Sequence, residues 1–186
     1  MIVDIVGNGK SKTLYRDRGN YVVACNIPEG IRYDYLSIID NQPIHWMKTN
    51  KWRPDCVILC TENVIQTAKS MDLRLKPVYE KKTRMNSGLY AAEYFAGTTE
   101  EIHLWGMDSL FSDDLTSEMD TKVPRRGRPD LNRWWRPHWN RIFQENNKTT
   151  FTIHLPRGHK HGFQQENVQS AEHMALDIRD HSATQS

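Results

Sequence analysis

The chain has 186 residues, of which 38% are hydrophobic and 26% are charged, and this composition favours one globular domain with its own core. Its 25 basic and 23 acidic residues give a net charge of +2, so binding to nucleic acid cannot be argued from a global field and needs a local basic patch. No apolar run approaches the roughly 20 residues that span a bilayer, and no leader peptide is recognisable, so we expect a cytoplasmic protein.

Short apolar runs, each bounded by turn-forming residues, predict β-strands along the chain. They are rich in Val, Ile and Leu and mostly lack alternation, which is typical of strands covered on both faces. Helical patterns lie between them in "SGLYAAEYFAG", with Ser87 as the candidate cap, and in "DLNRWWRPHWNRIFQENN", with Asp130 as the candidate cap. The predicted strands are Met1 to Val6, Tyr21 to Cys25, Asp55 to Cys60, Leu73 to Val78, Ile102 to Trp105 and Thr150 to Leu155.

The alternation of strands and helices predicts crossover connections, and therefore an α/β fold with a mostly parallel sheet. We expect a single Rossmann-like three-layer domain for nucleotide binding over residues 1 to 157. Residues 158 to 186 are polar and rich in histidine, which predicts a C-terminal tail. Within that tail we predict a short helix from Val168 to Arg179, followed by a frayed end.

The segment "VGNGKS" after the first predicted strand ends like a phosphate-binding P-loop. A P-loop needs glycine or alanine where Asp4 stands, and only three residues would precede its loop, so we do not predict one. We predict instead a strand through Val6 and a tight turn formed by Gly7, Asn8 and Gly9, at the strand end where open α/β sheets bind ligands. Polar groups near this pocket would be Lys10 and Ser11; the alternative is a plain glycine-rich turn.

Three later segments carry polar groups at similar places. Asn26 ends the second predicted strand, and its amide suits the edge of a base or ribose. Ser87 and Gly88 lie at a helix start, where unpaired N–H groups favour a phosphate. Asp108 follows the strand in "EEIHLWGMD", where a carboxylate can bind a ribose hydroxyl or orient a catalytic group. Each of these features, taken alone, is also explained by an ordinary turn or cap.

Taken in order, these motifs resemble the bacterial α-2,3-sialyltransferases that act on lipooligosaccharide, a family with a Rossmann-like glycosyltransferase core. More loosely, they resemble the archaeal-type 6-hydroxymethylpterin diphosphokinases. The resemblance extends over about residues 1 to 155, with a poorly matched segment from Ile27 to Lys82. It implies a nucleotide-sugar substrate, with CMP-sialic acid as the donor. The nucleotide-binding residues that it implies are Gly7, Asn8, Gly9, Ser11, Asn26, Ser87, Gly88 and Asp108.

The chain departs from this family at two places. Lys10 stands where the family usually has proline, and no tyrosine follows Asp108 closely, although the family's tyrosines there assist the departure of the phosphate. The resemblance also implies a histidine before the last helix as general base on the acceptor hydroxyl. The candidate is His138 in "RWWRPHWNR", whose imidazole suits this role near neutral pH.

The strongest local charge lies between Lys122 and Arg141, interleaved with tryptophans. Such a patch could hold the phosphates of a donor, stack a base or bind nucleic acid. For Trp135 and Trp139 we favour packing in the core, and "PRRGRP" is typical of a basic loop that orders on an anionic ligand. The candidate phosphate contacts are Lys10, Arg125, Arg126, Arg128 and Arg133.

Candidate metal ligands occur at three places, and each has a simpler explanation. His159 and His161 in "GHKHGF" lack a nearby third ligand, so an ordinary loop is favoured. Three cysteines lie in or beside apolar runs and are predicted to be buried thiols, namely Cys25, Cys56 and Cys60. An acidic segment could recruit Mg²⁺ for a diphosphate, although a solvated loop is favoured; it holds Asp113, Asp114, Glu118 and Asp120.

Three classes of function therefore remain open. The first is a transferase that uses a nucleotide-activated sugar and an acceptor hydroxyl, and the sialyltransferase-like form is its most specific version. The second is a protein that binds or sequesters a nucleotide or nucleotide sugar without catalysis. The third is a factor that binds or modifies nucleic acid through the basic patch. The sialyltransferases assemble into oligomers, so the resemblance also implies an oligomer.

Overall fold

A computed structural model of the chain describes residues 1–78, 85–123 and 131–174. The strands are β1 Ile2–Val6, β2 Tyr21–Cys25, β3 Tyr35–Ile38, β4 Val57–Cys60, β5 Arg74–Pro77, β6 Glu101–Trp105, β7 Thr150–Pro156 and β8 Val168–His173. The helices are α1 Asn41–Thr49, α2 Glu62–Ala68, α3 Ser87–Ala96 and α4 Leu131–Glu145, and short 3₁₀ helices cover Lys10–Leu14, Asp108–Leu110 and Glu118–Thr121.

The described strands form one sheet in the order β5-β4-β3-β2-β1-β6-β7-β8, and each neighbouring pair is parallel. Helices α3 and α4 pack on one face over the larger core cluster, which includes Leu89, Trp139 and Phe143. Helices α1 and α2 pack on the other face through Ile44 and Val64. This arrangement confirms the predicted α/β class and the Rossmann-like three-layer domain.

The order of the strands places a switch point between β1 and β6. From β1 the chain proceeds outward to β5 at one edge, returns through α3, and continues from β6 to β8 at the other edge. The register sets Val6 beside Trp105, so the loops that follow these two strands emerge side by side. The crevice outside such strand ends is the usual ligand site of open α/β sheets.

Asp4 is a fully buried carboxylate in the middle of β1. Its oxygens accept hydrogen bonds from Arg18 Nη2 at 3.0 Å, Asn20 Nδ2 at 3.0 Å and Trp105 Nε1 at 2.9 Å. A buried charge is tolerated when it is paired and hydrogen-bonded in this way. The strand continues past Asp4 to Val6, as predicted, so this residue belongs to the sheet and not to a phosphate-binding loop.

The polar segment Val168–His173 was wrongly predicted as the start of a helix. It forms β8, which pairs in parallel with β7 at the edge of the sheet. Asn167 fixes the entry to this strand, because its Nδ2 donates to the carbonyl oxygens of Phe143, Asn146 and Thr149. The rest of the predicted helix, from residue 175 onward, lies outside the described residues. An edge strand has a solvated face, which explains its polar sequence.

Two further elements differ from the prediction. Strand β3 was not predicted, although its short run Tyr35–Ile38 is mostly apolar and buried and is flanked by Asp34 and Asp40. Helix α3 begins at Ser87 as its first helical residue, and the cap is Asn86, whose Oδ1 accepts from Leu89 N at 2.9 Å. Asp130, the predicted cap of α4, lies outside the described residues. The predicted burial of the three cysteine thiols is confirmed, and burial raises the pKa of Cys25 to about 12.

Candidate functional site

A cleft of about 830 Å³ lies at the switch point, outside the carboxyl ends of the central strands. The loops after β1, β2, β3 and β6, the start of α3 and the residues Leu131 and Trp135 of α4 form its walls. The structure brings together here most of the residues that the sequence singled out for nucleotide binding, namely Gly7, Asn8, Gly9, Asn26, Ser87, Gly88 and Asp108. Of that predicted set, Ser11 is not among the lining residues.

Two glycine loops cross at the floor of the cleft. Gly7 N donates to Trp105 O at 2.7 Å, and Gly9 N donates to Gly106 O at 3.0 Å. A Cβ on Gly7 would lie 2.5 Å from Gly106 O, and a Cβ on Gly106 would lie 2.7 Å from Gly7 O. Gly106 also has φ +62°, a conformation that disfavours other residues. The loops can approach this closely only because both positions are glycine.

Asp108 joins the loop after β6 to the loop after β1. Its buried carboxylate accepts from Ser11 Oγ and, at 3.2 Å, from Ser11 N. A Cβ on Gly9 would lie 2.5 Å from Asp108 Cγ, so this glycine makes room for the carboxylate. Burial raises the pKa of Asp108, while the bonds from Ser11 act in the opposite direction. Ser11 therefore orients Asp108 at the edge of the cleft.

Asn8 carries an unused acceptor at the cleft. The residue is 8% exposed, and its Nδ2 donates to Cys25 O at 2.9 Å, which fixes the side-chain amide. Its Oδ1 is buried and has no hydrogen-bond partner within the described residues. A buried amide oxygen without a partner costs free energy, and a donor on a ligand would remove that cost.

Asn26 and the start of α3 form the opposite side of the cleft. Asn26 has φ 56°, and its Oδ1 accepts from Ser87 Oγ at 2.9 Å. The N–H groups of Ser87 and Gly88 are in the first turn of α3, where no intrahelical acceptor exists. Together with the helix dipole, these groups favour an anion in the cleft.

The predicted phosphate contacts are not gathered at the cleft. Lys10 is exposed, forms an ion pair with Asp114 at 2.6 Å, and does not line the cleft. The guanidinium of Arg133 lies 5.1 Å from the centre of the Trp134 ring. Ion pairs with acidic residues occupy three other members of the basic patch, Lys122, Arg136 and Arg141. The remaining predicted contacts, Arg125, Arg126 and Arg128, lie outside the described residues.

Helix α4 carries the predicted general base and two tryptophans. Trp139 is fully buried and Trp135 packs against the same core, so the predicted packing of both side chains is confirmed. His138 is half-buried, three residues after Trp135, and it is not among the residues that line the cleft. Its role as a general base stays a prediction.

The acidic segment after β6 is built into the fold through its own partners. Asp114 pairs with Lys10, and Asp113 accepts from Asn132 and Arg136. Glu118 forms an ion pair with Lys12, and Asp120 accepts from the backbone N–H of Ser117. Across residues 1–78, 85–123 and 131–174, no three potential ligands converge on a metal site.

A chain of three histidines, which sequence reasoning missed, crosses β6, β7 and β8 on the face opposite α3. His103 Nδ1 lies 2.9 Å from His154 Nε2, and His154 Nδ1 lies 2.7 Å from His173 Nε2. Glu101 Oε1, at 2.9 Å from His103 Nε2, can only accept, so each neutral ring carries its proton on Nε2. Burial lowers the pKa of all three, that of His154 to about 2. The signal available in the sequence was the alternation of side chains along β6, which places His103 and Trp105 on the same face of the sheet.

The fold and the cleft together define an α/β protein with a parallel, Rossmann-like sheet and a polar cleft at the switch point. No protein-family model matches the chain, and neither a curated protein nor a solved structure shows significant similarity to it. The sialyltransferase resemblance therefore depends on the short motifs alone and stays a prediction. Within the described ranges, no helix is both long and apolar enough to cross a membrane.

Proposed function

We propose that the protein binds a nucleotide-activated sugar, with a CMP-linked donor as the first candidate, in the cleft at the switch point and transfers the sugar to an acceptor hydroxyl. The observation that carries the proposal is the unpartnered, buried Asn8 Oδ1, which lines the same cleft as the first turn of α3. Asn8 Oδ1 would accept a hydrogen bond from a base or ribose, and the first turn of α3 would bind a phosphate.

The proposed ligand would span the two sides of the cleft. Its phosphate would lie at the N–H groups of Ser87 and Gly88, and its nucleoside would lie toward Asn8. The volume of about 830 Å³ falls within the usual range for small-molecule sites. Trp135 and Met107 would supply apolar contacts at the border of the cleft.

The proposed reaction is a simple substitution. The acceptor oxygen forms a bond to the anomeric carbon, and the bond from that carbon to the phosphate oxygen breaks with its electron pair on the phosphate. The hydroxyl proton passes to a base or to water. The N–H groups at the start of α3 would stabilise the charge that develops on the leaving phosphate.

The binding step can be tested by replacing Ser87 with proline. Proline is favoured at the first position of a helix, and the extended Asn86 (φ −116°, ψ 169°) suits a following proline. Ser87→Pro therefore removes one N–H group while α3 is kept. The matched control Ser87→Ala removes only the hydroxyl that donates to Asn26.

Calorimetric titration with CMP, CDP, UMP, UDP, GDP and ATP, with and without Mg²⁺, would identify the nucleotide. We expect the Ser87→Pro variant to bind the selected nucleotide roughly tenfold more weakly than Ser87→Ala does, because it lacks a phosphate contact. The corresponding nucleoside, which has no phosphate, should bind both variants equally. Equal nucleotide affinities in the two variants would refute phosphate binding at α3.

A second candidate is nucleotide binding without catalysis. It is favoured by the position of His138 outside the cleft lining and by the absence of a tyrosine between Asp108 and residue 123. Release of free nucleotide from a nucleotide sugar in the presence of acceptor distinguishes the two candidates. Binding of nucleic acid by the basic patch is a separate prediction, and a steep salt dependence of oligonucleotide affinity would support it.

A further inference from the structure

One wall of the cleft is apolar. The segment after β6 contributes Leu115, Met119 and Val123 to it, and helix α4 contributes Leu131 and Trp135. Leu131 and Trp135 are four residues apart, so they lie on the same face of the helix. We call these five side chains the apolar wall. Met119 is buried, whereas the other four are half-buried, so part of their surface remains accessible to a ligand in the cleft.

The segment 115–123 is held at the floor of the cleft by backbone hydrogen bonds. Gly9 forms an antiparallel bridge with Ser117, and Glu118 N donates to Asn8 O at 3.0 Å. These bonds join the segment to the glycine turn after β1. The apolar wall therefore has a fixed position in the cleft, next to the turn that carries Asn8.

The polar side chains of the same segment form hydrogen bonds within the segment itself. Ser117 Oγ accepts from Met119 N at 3.2 Å, and Asp120 Oδ2 accepts from Ser117 N at 3.0 Å. Thr116 Oγ1 donates to Asp114 Oδ1. A ligand at the wall would therefore meet mainly methyl, methylene, thioether and indole groups. A group with many hydroxyls would lose hydrogen bonds to water there, whereas an apolar group would gain from leaving water.

The apolar wall suits an aliphatic chain better than an aromatic ring. Among the described residues, Trp135 is the one aromatic side chain that lines the cleft, so a flat ring could stack on one face only. The other members of the wall are aliphatic side chains and the thioether of Met119, and methionine adapts its shape readily to a flexible apolar neighbour.

From the apolar wall and the internal bonds of its polar neighbours we infer that the cleft contains a subsite for an aliphatic alcohol, whose alkyl chain lies on the wall. The volume of about 830 Å³ is near the upper end of the roughly 300–1,000 Å³ that is usual for small-molecule sites. Such a volume suits a site that holds two reactants side by side.

In the proposed transfer this alcohol would be the acceptor. Its oxygen would form the bond to the anomeric carbon, the phosphate would leave with the electron pair of the broken bond, and the hydroxyl proton would pass to water. That assignment of the alcohol as acceptor rests on the proposed function, whereas the binding of its alkyl chain does not.

The inference can be tested by nuclear magnetic resonance titration of the full chain, labelled at its methyl groups, with a series of alcohols. We expect 1-hexanol to show nuclear Overhauser effects to the methyl groups of Leu115, Met119 and Val123. We also expect it to bind about tenfold more tightly than 1-butanol, because two further methylene groups leave water. Benzyl alcohol and 1,2,6-hexanetriol should bind more weakly than 1-hexanol.

Three results would overturn the inference. They are the absence of Overhauser effects to these methyl groups, equal affinities for 1-butanol and 1-hexanol, and binding of 1,2,6-hexanetriol as tight as that of 1-hexanol. Benzyl alcohol that binds as tightly as 1-hexanol would overturn the assignment of an aliphatic chain.

Two matched variants make the test specific for the apolar wall. Val123→Thr puts a hydroxyl in place of one methyl group at the wall, and 1-hexanol binding should weaken roughly fivefold. Val168→Thr makes the same change at a half-buried valine of β8, which does not line the cleft, and should leave 1-hexanol binding unchanged. Equal affinities of Val123→Thr and the wild type would overturn the position of the chain on this wall.

Titrations with 1-hexanol in the presence of CMP separate this inference from the proposed function. Binding of 1-hexanol at the wall with CMP already bound supports a subsite for the acceptor. Displacement of 1-hexanol by CMP would overturn the assignment as acceptor, because the wall would then belong to the nucleotide. Binding of 1-hexanol by a protein that binds none of the six nucleotides supports the alkyl subsite and overturns the proposed function.

Discussion

Acidification is expected to destabilise the protein through its buried histidine chain. His103 and His154 are 6% and 4% exposed, and their rings are hydrogen-bonded to each other as neutral groups. Their other charged neighbours are Glu101, Asp4 and Arg18 around His103, and Arg16 and Arg18 around His173. A proton added to His154 would enter an interior position between two further imidazoles, where the indole of Trp105 stacks on the His154 ring at a centroid distance of 3.3 Å.

The sign follows from the direction of the pKa shifts. Burial lowers the pKa of His154 from 6.5 to about 2, so the unfolded chain takes up the proton first as the pH falls. Above about pH 6.5 His154 is neutral in both the folded and the unfolded chain, so it does not change the stability with pH. Below about pH 6.5 the free energy of unfolding falls by ~1.4 kcal/mol per pH unit because of this group. At about pH 5 the loss from His154 alone is ~2 kcal/mol. His103 and His173, whose pKa values are also lowered, add to it.

The assay is urea denaturation between about pH 7.5 and 5 on the wild type and on His154→Gln, which keeps a polar side chain without a titrating ring. The free energy of unfolding of the wild type should fall by at least ~2 kcal/mol over this interval, and that of His154→Gln should fall by ~2 kcal/mol less than the wild type's. His45→Gln, on the exposed face of α1, is the matched control and should behave like the wild type. Identical pH slopes for wild type and His154→Gln would refute the reasoning.

Two substitutions test the packing around the cleft. Gly9→Ala would bring a Cβ within 2.5 Å of Asp108 Cγ, so thermal unfolding should show a loss of stability of ~1–3 kcal/mol, and nucleotide binding should weaken. Gly97→Ala, which has open space around its Cβ, is the control and should change neither stability nor binding in this way. A Gly9→Ala variant as stable as Gly97→Ala would contradict the close approach. Asp4→Ala leaves the partly exposed guanidinium of Arg18 and the buried Nε1 of Trp105 without their acceptor, and urea denaturation should show a loss of ~1–3 kcal/mol. A loss below ~1 kcal/mol would show that water replaces the carboxylate.

The fold was predictable where burial determines the sequence. Strands β1, β2 and β7 are covered on both faces and are mainly apolar, with Asp4 as the one charged residue of β1, so their prediction needed no tertiary information. The edge strand β8 contains only half-buried and exposed residues, without strict alternation, and looks like a polar helix in isolation. What makes it a strand is the open edge of β7 and the contacts of Asn167, and neither can be recognised before the sheet is assembled.

The candidate site was predictable in position but only partly in chemistry. Strand ends of a parallel sheet converge, so Gly7, Asn26 and Asp108 could be assigned to one cleft from their places after apolar runs. Their partners could not be assigned in this way. Ser11 bonds to Asp108 and Lys10 bonds to Asp114, because the chain brings together residues about a hundred positions apart. These pairings depend on loop geometry that periodicity does not encode.

The two glycine loops explain why a sequence that resembles a P-loop has a different architecture. In a P-loop the glycines bring backbone N–H groups to a phosphate. Here Gly7 N and Gly9 N donate to Trp105 O and Gly106 O, so these N–H groups bind the neighbouring loop of the protein itself. Ser87 N and Gly88 N, on the opposite wall, lie in the first turn of α3, where no intrahelical acceptor exists. A phosphate in this cleft would therefore bind at α3, and the motif "GNG" contributes the close crossing of the loops after β1 and β6 that gives the cleft its floor.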